Sequence, residues 1–410
     1  MNTKFTLGEL CSFHRGAGVP RVRMHDTGDY LYIHYGDLYR GFDLRIDVER
    51  PSKEIPYISG DEKIKAEQFL DDQDIVYVLT SETTDDLGHA FLFNNPASRK
   101  AVSGTETTIV RVERRDVLLP AYLNYLMKDP GFIAQLRQYT RGMKVFRVHP
   151  SDVARLEVTL PSLDAQKAVV SVLDSIYEKQ RLNNRLNGYL EELLFVGYDS
   201  LFPADLEPNG TLADIGDIVG GATPSKKREE YYCADGIRWI TPRDLSNSPN
   251  KFVSHGATDI TEEGFASCSV KLLPAGSVLF SSRAPIGYVA IAAAEVTTNQ
   301  GFKSVVPKKE VGGAFVYCLL VRNRQRIADL GAGTTFPEVS GSMMKSVRIA
   351  LPSKQACAQF EEFASPILRQ QKALESENRE LGNLRDALLP KLMSGEIDVS
   401  GVIFHVQGEQ

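Results

Sequence analysis

No apolar run in the 410-residue chain approaches the ~18 to 20 residues a helix needs to span a bilayer, so no membrane partner is expected. The opening Met1-Asn2-Thr3-Lys4-Phe5-Thr6-Leu7 lacks the apolar core of a signal peptide, and a cytoplasmic location is expected. Cysteine is scarce and odd in number: Cys11, Cys233, Cys268, Cys318 and Cys357 are scattered and never fall at CxxC spacing. That pattern argues against a disulfide framework and a zinc site, and fits a reducing cytosol. The seven histidines never adopt His-Glu-x-x-His spacing, and no Gly-x-x-x-x-Gly-Lys-Ser/Thr loop is present to cradle a phosphate. Amino-methyl transfer lacks its Asn-Pro-Pro-Tyr or Asp-Pro-Pro-Tyr step, which Asn95-Pro96-Ala97 does not supply. Asp71, Asp72 and Asp74 have no Glu-x-Lys partner downstream, so they read as solvated residues at a strand entry rather than a nuclease centre. No metal site and no catalytic residue are expected. Positive charge is also short, with 47 bases against 53 acids and a net charge of −6. A stand-alone DNA binder usually carries a basic domain. Either the bases concentrate on one face or a partner supplies phosphate contacts.

What the chain does contain is nearly the same message twice. Each half opens on a short apolar lead, Phe5–Leu10 and then Leu212–Ile218, followed by a Gly-rich turn, Gly16-Ala17-Gly18-Val19-Pro20 and Gly220-Gly221-Ala222-Thr223-Pro224-Ser225. An aromatic strand comes next, Tyr30-Leu31-Tyr32-Ile33 and Ile237-Arg238-Trp239-Ile240, each reaching Asp-Leu four residues on, at Asp37-Leu38 and Asp244-Leu245. Asp74-Ile75-Val76-Tyr77-Val78 parallels Ser277-Val278-Leu279-Phe280-Ser281, and both lead into polar loops closed by Gly88 and Gly287. A helix with Tyr122, Leu123 and Leu126 answers one with Phe315, Val316 and Leu319. Arg141-Gly142-Met143-Lys144-Val145-Phe146 parallels Ala332-Gly333-Thr334-Thr335-Phe336. The preserved order indicates a duplication.

Both halves close on a Leu-Pro-Ser step, at Leu160-Pro161-Ser162 and Leu351-Pro352-Ser353, into a long heptad-patterned helix. Ser162 is the expected cap of the first. Its a series is Val169, Ile176, Asn183 and Leu190, and its d series includes Val172, Leu186 and Leu193. In the second helix the d stripe of Ile367, Leu374, Leu381 and Leu388 is clean, while the a stripe, with Asn378, is largely polar. An Asn at an a position costs stability and helps set register. Gly188 inside a helix needs a reason such as close backbone approach, unless Asn187-Gly188 is a turn that ends it. Pro366, with Ser365 before it, predicts a restart of the second helix. About 38 residues at 1.5 Å give a rod of roughly 57 Å, more than one turn of DNA. Two similar globular units and two helices suit an extended twofold ligand, and duplex DNA with a split site leads. A coiled coil that merely dimerises the chain is the competing account.

This organisation resembles the specificity subunit of type I restriction-modification enzymes, from about Phe5 to Ile397. The most specific stretches are Gly221-Ala222-Thr223-Pro224-Ser225, Tyr231-Tyr232, Gly236-Ile237-Arg238-Trp239-Ile240 with Asp244-Leu245, Thr298-Asn299-Gln300-Gly301-Phe302, and Ile349-Ala350-Leu351-Pro352-Ser353. The first half departs from the pattern: Tyr32 stands in for Trp239, and no Asn-Gln-Gly step appears near Gly104. The resemblance implies an α+β chain of two similar target recognition domains in tandem, each followed by a long helix, the helices packing as an antiparallel coiled coil. It implies recognition domains at 1–161 and 203–352, helical spacers at 162–202 and 353–393, and a tail at 394–410. It also implies a non-catalytic subunit that binds a gapped, bipartite double-stranded DNA target and recruits two DNA methyltransferase subunits, with restriction or translocase subunits able to join. S-adenosylmethionine, ATP and Mg would then belong to partners, and this chain would need no cofactor.

Basic residues cluster despite the acidic total. Arg137, Arg141, Lys144 and Arg147 form an acid-free run, and Arg15, Arg21 and Arg23 flank the first Gly-rich turn. Lys226, Lys227 and Arg228, then Arg322, Arg324 and Arg326, are the second half's counterparts. Such residues fix register on phosphates, while base edges carry sequence information. Each cluster taken singly is equally a solvated face. The expected base readers are Ser81, Thr83 and Thr84 with Thr80 in the first half, and Ser281, Ser282 and Arg283 in the second, with Arg243 beside Trp239. Trp239 itself reads as core rather than a stacking platform. Thr334 and Thr335, like Lys144, are expected in tight turns near DNA. A scaffold without a nucleic-acid role and a diverged methyltransferase or nuclease remain the alternatives.

Overall fold

The computed structural model describes residues 3–39, 41–84, 86–248, 250–331 and 337–399. The chain divides into two compact units, Met1–Glu178 with Leu381–Gln410 (unit 1) and Lys179–Glu380 (unit 2). Each unit therefore takes a part of each long helix.

Unit 1 is organised on a five-stranded sheet in the order Cys11–Arg15, Thr107–Val112, Ile75–Val78, His89–Asn94 and Arg45–Asp47. The first three pairings are antiparallel and the last is parallel. Ile75, Val76, Tyr77 and Val78 are all buried because the strand is covered on both faces. Alternate side chains point to opposite faces. Ile75 and Tyr77 join a helical core with Tyr122, Leu123, Val169 and Leu173, while Val76 and Val78 join a second core with Leu31, Ile33 and Phe93. Burying each such side chain contributes roughly 2 kcal/mol.

Unit 2 repeats this plan: Gly216–Gly220, Lys303–Pro307, Val278–Ser282, Ile286–Ala292 and Phe252–Val253, with the same three antiparallel pairings and the same parallel edge. Val278 and Phe280 face a helical core with Phe315, Leu320, Leu194 and Phe360, and Leu279 faces the other side with Ile240 and Leu273. The aromatic strands agree as well. Tyr30–Ile33 runs parallel to Ala101–Ser103, and Trp239–Ile240 parallel to Thr297–Thr298. Tyr32 Oη donates to Ala17 O (2.7 Å) and Trp239 Nε1 donates to Ala222 O (3.1 Å), so both aromatics tie the Gly-rich turn to the sheet. Both are core residues.

The long helices span Leu163–Leu201 and Lys354–Ser394. Ser162 and Ser353 cap them alike, their hydroxyls accepting from Ala165 N (3.4 Å) and Ala356 N (3.1 Å). Within unit 2 they pair antiparallel: Lys179 meets Glu377, Asn187 meets Glu375, and Gln371 meets Glu191. Asn183, buried, donates to Asn378 Oδ1 at 2.9 Å and to Glu377 at 2.8 Å. Leu190, Ile367 and Leu374 turn inward, as do Val169, Ile176 and Leu388 on the unit 1 segments, and Leu381 is half-buried.

Several sequence expectations change. The second helix does not restart at Pro366 but runs through it, because Phe360, Ala364 and Ile367 are anchored in the core on both sides of the missing N–H. Ser365 accepts from Arg369 instead of capping. The first helix likewise passes through Asn187-Gly188, where an added Cβ would meet nothing within 4 Å. The close approach lies at Gly197, where a Cβ would come within 2.1 Å of the Phe363 ring. Leu186 and Leu193, expected in the buried stripe, are 42% and 47% exposed, since the inward face is the one through Asn183, Leu194 and Tyr198. Asp74 is fully buried rather than solvated, bound by Arg111 at 2.9 and 2.7 Å.

Candidate nucleic-acid interface

The clearest polar face in unit 1 grows from one short strand pair, Thr80–Ser81 with Phe146–Arg147. The chain leaves the core strand at Val78, and the pairing brings the basic run back across it. Arg141 and Arg147 close a hairpin by mutual backbone bonds of 2.9 and 2.8 Å. Gly142, at φ +120°, makes its tip, where a Cβ would stand 2.1 Å from Val145 O. Met143 (94% exposed) and Lys144 project from that tip. Two clefts of about 400 and 440 Å³ flank the pair, and Thr80, Glu106 and Arg147 line both. Arg15 and Arg141 line the first cleft, with Arg15 bonded to His149 at 2.8 Å. The arginines are oriented by acids: Arg141 lies 3.0 Å from Asp152, and Arg147 lies 3.5 Å from Glu106.

Arg21 and Arg23 occupy a different place, the turn Arg21–Arg23, paired with Asp37 (3.7 Å) and Glu62 (3.2 Å). Arg21 lines a cleft of about 770 Å³ with Lys53 and Arg99. Burial, and next the neighbouring Arg21, hold the His34 imidazolium below its ordinary pKa, and the ring accepts from Gly36 N at 3.0 Å. Among the expected readers, Thr83 and Thr84 are exposed, Thr83 bonding Asp86 at 3.1 Å, while Ser81 is largely buried.

In unit 2, Lys226, Lys227, Arg228 and Arg243 are exposed, with Arg228 held by Glu230 at 3.1 Å. Ser281 and Ser282 are not at the surface: both are fully buried, and Ser281 Oγ donates to Pro285 O (2.9 Å) and accepts from Tyr288 N (2.8 Å). The Ser281 hydroxyl closes the turn and Ser282 Oγ accepts from Lys303 Nζ (3.5 Å), so neither faces solvent. Arg283 does face out, 3.6 Å from Glu338, which Lys303 also approaches at 3.4 Å. Arg322 and Arg326 are tied within the unit, to Asp199 and to Arg348 O. Thr334 and Thr335 lie outside the described residues. Sequence reasoning missed Glu106, Glu338 and His149; only the position of Glu106 just after Gly104 could have signalled it.

Each unit also carries the same polar clamp onto the first long helix. In unit 1 the edge-strand Arg45 pairs with Asp174, and Tyr125 Oη donates to the same carboxylate at 2.8 Å. In unit 2 Lys251, one residue before the edge strand Phe252–Val253, pairs with Glu191, and Tyr317 Oη donates to that carboxylate at 3.0 Å. Burial first, then the adjacent carboxylate, push both phenols up, so they remain donors. Burial holds the Lys251 ammonium below its ordinary value against the pull of Glu191.

Two like α+β units, each tethered to the paired helices and bearing arginines beside a polar cleft, have the build of a repeated recognition module. Residues 2–192 and 204–379 each match the type I restriction modification DNA specificity domain, and the chain belongs to that family. It is similar to the type I restriction enzyme MjaIX specificity subunit of Methanocaldococcus jannaschii, 44% identical over 146 residues, 35% of this chain and 34% of that one. Similarity to the HindI specificity subunit of Haemophilus influenzae is 31% over 189 residues, 45% of this chain and 40% of that one. The matches thus span about a third to two-fifths of those relatives. The fold is shared with the solved S subunit of a type I restriction-modification system from M. genitalium, at a TM-score of 0.55, 14% identity and 96% coverage of both chains. Among the described residues no helix is long and apolar enough to cross a membrane.

Proposed function

We propose that this chain is the non-catalytic, DNA-reading subunit of a type I restriction-modification complex. Residues 1–161 and 203–352 each read one half of a gapped duplex target, and the segments 162–202 and 353–393 link them and bind partners. The observation that carries this reading is the duplication itself: one sheet plan and one clamp, built twice in a chain of two specificity domains. In unit 1, Arg141, Lys144 and Arg147 contact phosphate and the Thr80–Thr84 loop approaches the bases. In unit 2 these roles fall to Lys226, Lys227, Arg228, Arg243 and Arg283. Arginine and lysine supply position and salt dependence, while the polar loops supply sequence.

Partner binding is supported by an exposed stripe on the first long helix, Leu182, Leu186, Tyr189, Leu193 and Val196, at alternating spacings of four and three. A methyltransferase subunit docks there by helix packing. Two such subunits bring S-adenosylmethionine, and restriction or translocase subunits bring ATP and Mg. The chain works in the cytoplasm.

The test is to mix the chain and its methyltransferase partner with a randomised duplex pool and to sequence what is retained. Two half-motifs at constant spacing are expected. Retention without any motif, or methyl transfer by the purified chain alone, would falsify the assignment. Leu186→Glu with Leu193→Glu should cut partner binding at least tenfold while the circular dichroism spectrum is unchanged.

A further inference from the structure

In unit 1 the turn Gly104-Thr105-Glu106-Thr107 occupies the place that Asn299-Gln300-Gly301-Phe302 holds in unit 2. The correspondence follows from backbone bonding: Ala17 N donates to Ser103 O (2.7 Å), and Ala222 N donates to Thr298 O (3.0 Å). Glu106 therefore stands where unit 2 has glycine. Its φ is +59°, in the left-handed region that glycine or asparagine enters more cheaply. A long charged side chain is not there for the sake of the turn. Backbone held in such a region collects at functional sites.

The carboxylate is aimed and fastened. Oε2 accepts from Thr80 Oγ1 at 2.6 Å, and Oε1 lies 3.5 Å from the Arg147 guanidinium. Both clefts beside the basic hairpin are lined by these three side chains. The Glu106 side chain keeps 34% of its surface accessible, and an ionised carboxylate has roughly four lone-pair sites, so acceptor capacity remains open. Glu82 and Asp86 line the second cleft too, which makes that side poor for phosphate. An acid on a DNA-facing surface weakens binding to every sequence by repelling phosphate. It is useful only against a group that presents N–H donors. On a major-groove base edge that group is the exocyclic amine, N4 of cytosine or N6 of adenine.

We propose that Glu106 is a sequence-reading residue of unit 1, its carboxylate accepting from an exocyclic amine of one base while Thr80 and Arg147 hold it in position. This deepens the DNA-reading assignment above and rests on it. The experiment retains DNA from a randomised duplex pool on the full chain with its methyltransferase partner, comparing wild type, Glu106→Gln and Thr80→Val. Wild type should return both half-motifs. Glu106→Gln should lose about tenfold preference at one base pair of one half, with the other half unchanged. Thr80→Val should loosen the same pair by less, and the base enriched there tells cytosine from adenine. An unchanged Glu106→Gln motif overturns the proposal and leaves the DNA-reading assignment standing. Loss of the whole half-motif in both variants, with the second half intact, assigns Glu106 a structural role and also overturns it. Absence of any motif with wild type removes the assignment and the proposal together.

Discussion

Cys11, Cys318 and Cys357 are sealed inside the units at 6%, 0% and 2% exposure, while Cys233 and Cys268 are partly open. Burial, then Glu113, pushes the Cys11 thiol up to about 12, and burial, then Glu361, takes Cys357 to about 11. Iodoacetamide at pH 7.5 should therefore add two labels rather than five, read by intact mass, until denaturant is added. Five rapid labels on the folded chain would contradict the burial. The sign for stability follows. Above about pH 8.5 the unfolded chain ionises these thiols and the folded chain does not, so stability should fall as pH rises. Individual reader residues were the least legible part of the sequence. Ser281, Ser282 and Thr83 look alike in a polar run, yet two are buried and one is exposed. Which way a hydroxyl faces depends on the turn around it, and the sequence names no turn partner such as Pro285 O.

At the scale of elements, the clamps decide how each edge strand holds its helix. Lys251 keeps 7% of its side-chain surface and pairs with Glu191, whereas Arg45 keeps 19% and pairs with Asp174; the two carboxylates are about equally open, at 31% and 29%. Removing one partner of a buried pair strands the other charge. Lys251→Ala should thus cost roughly 3 kcal/mol of unfolding free energy in urea. Arg45→Ala should cost less, because Arg45 is itself the more solvated cation of the two. A loss under about 1 kcal/mol for Lys251→Ala would show the clamp to be dispensable. The helices were legible as elements, from heptads, the paired Leu-Pro-Ser steps and the Ser162 cap, whereas the Ser353 cap emerged only from the structure. Their faces were less so. Leu186 and Leu193 fit a buried stripe by spacing but lie outward, because polar Asn183 and Gln371 take the inward positions. Periodicity reports that a stripe exists; it does not report which neighbour claims it.

At the scale of the molecule, a net charge of −6 leaves little general attraction for the proposed phosphate contacts, so affinity should depend on a few local bases. Arg141→Gln and Arg147→Gln should each lower the slope of log affinity against log salt by about 1. A slope unchanged in both variants would move the phosphate contacts elsewhere. Replacing residues 1–160 by the equivalent segment of another family member should alter one half of the target and leave the other. A change of spacing with both halves intact would contradict the domain assignment. The duplication and the two long helices were determined by the sequence alone, since repeated order, apolar period and the Leu-Pro-Ser steps are local properties of the chain, and the α+β class followed from the family resemblance. Only the tertiary structure decided that the terminal segment Leu381–Gln410 belongs with unit 1, that Asn183 meets Asn378, and that Glu106 reaches Thr80 and Arg147. Those contacts join residues far apart in sequence, and long-range proximity is set by packing that no local pattern encodes.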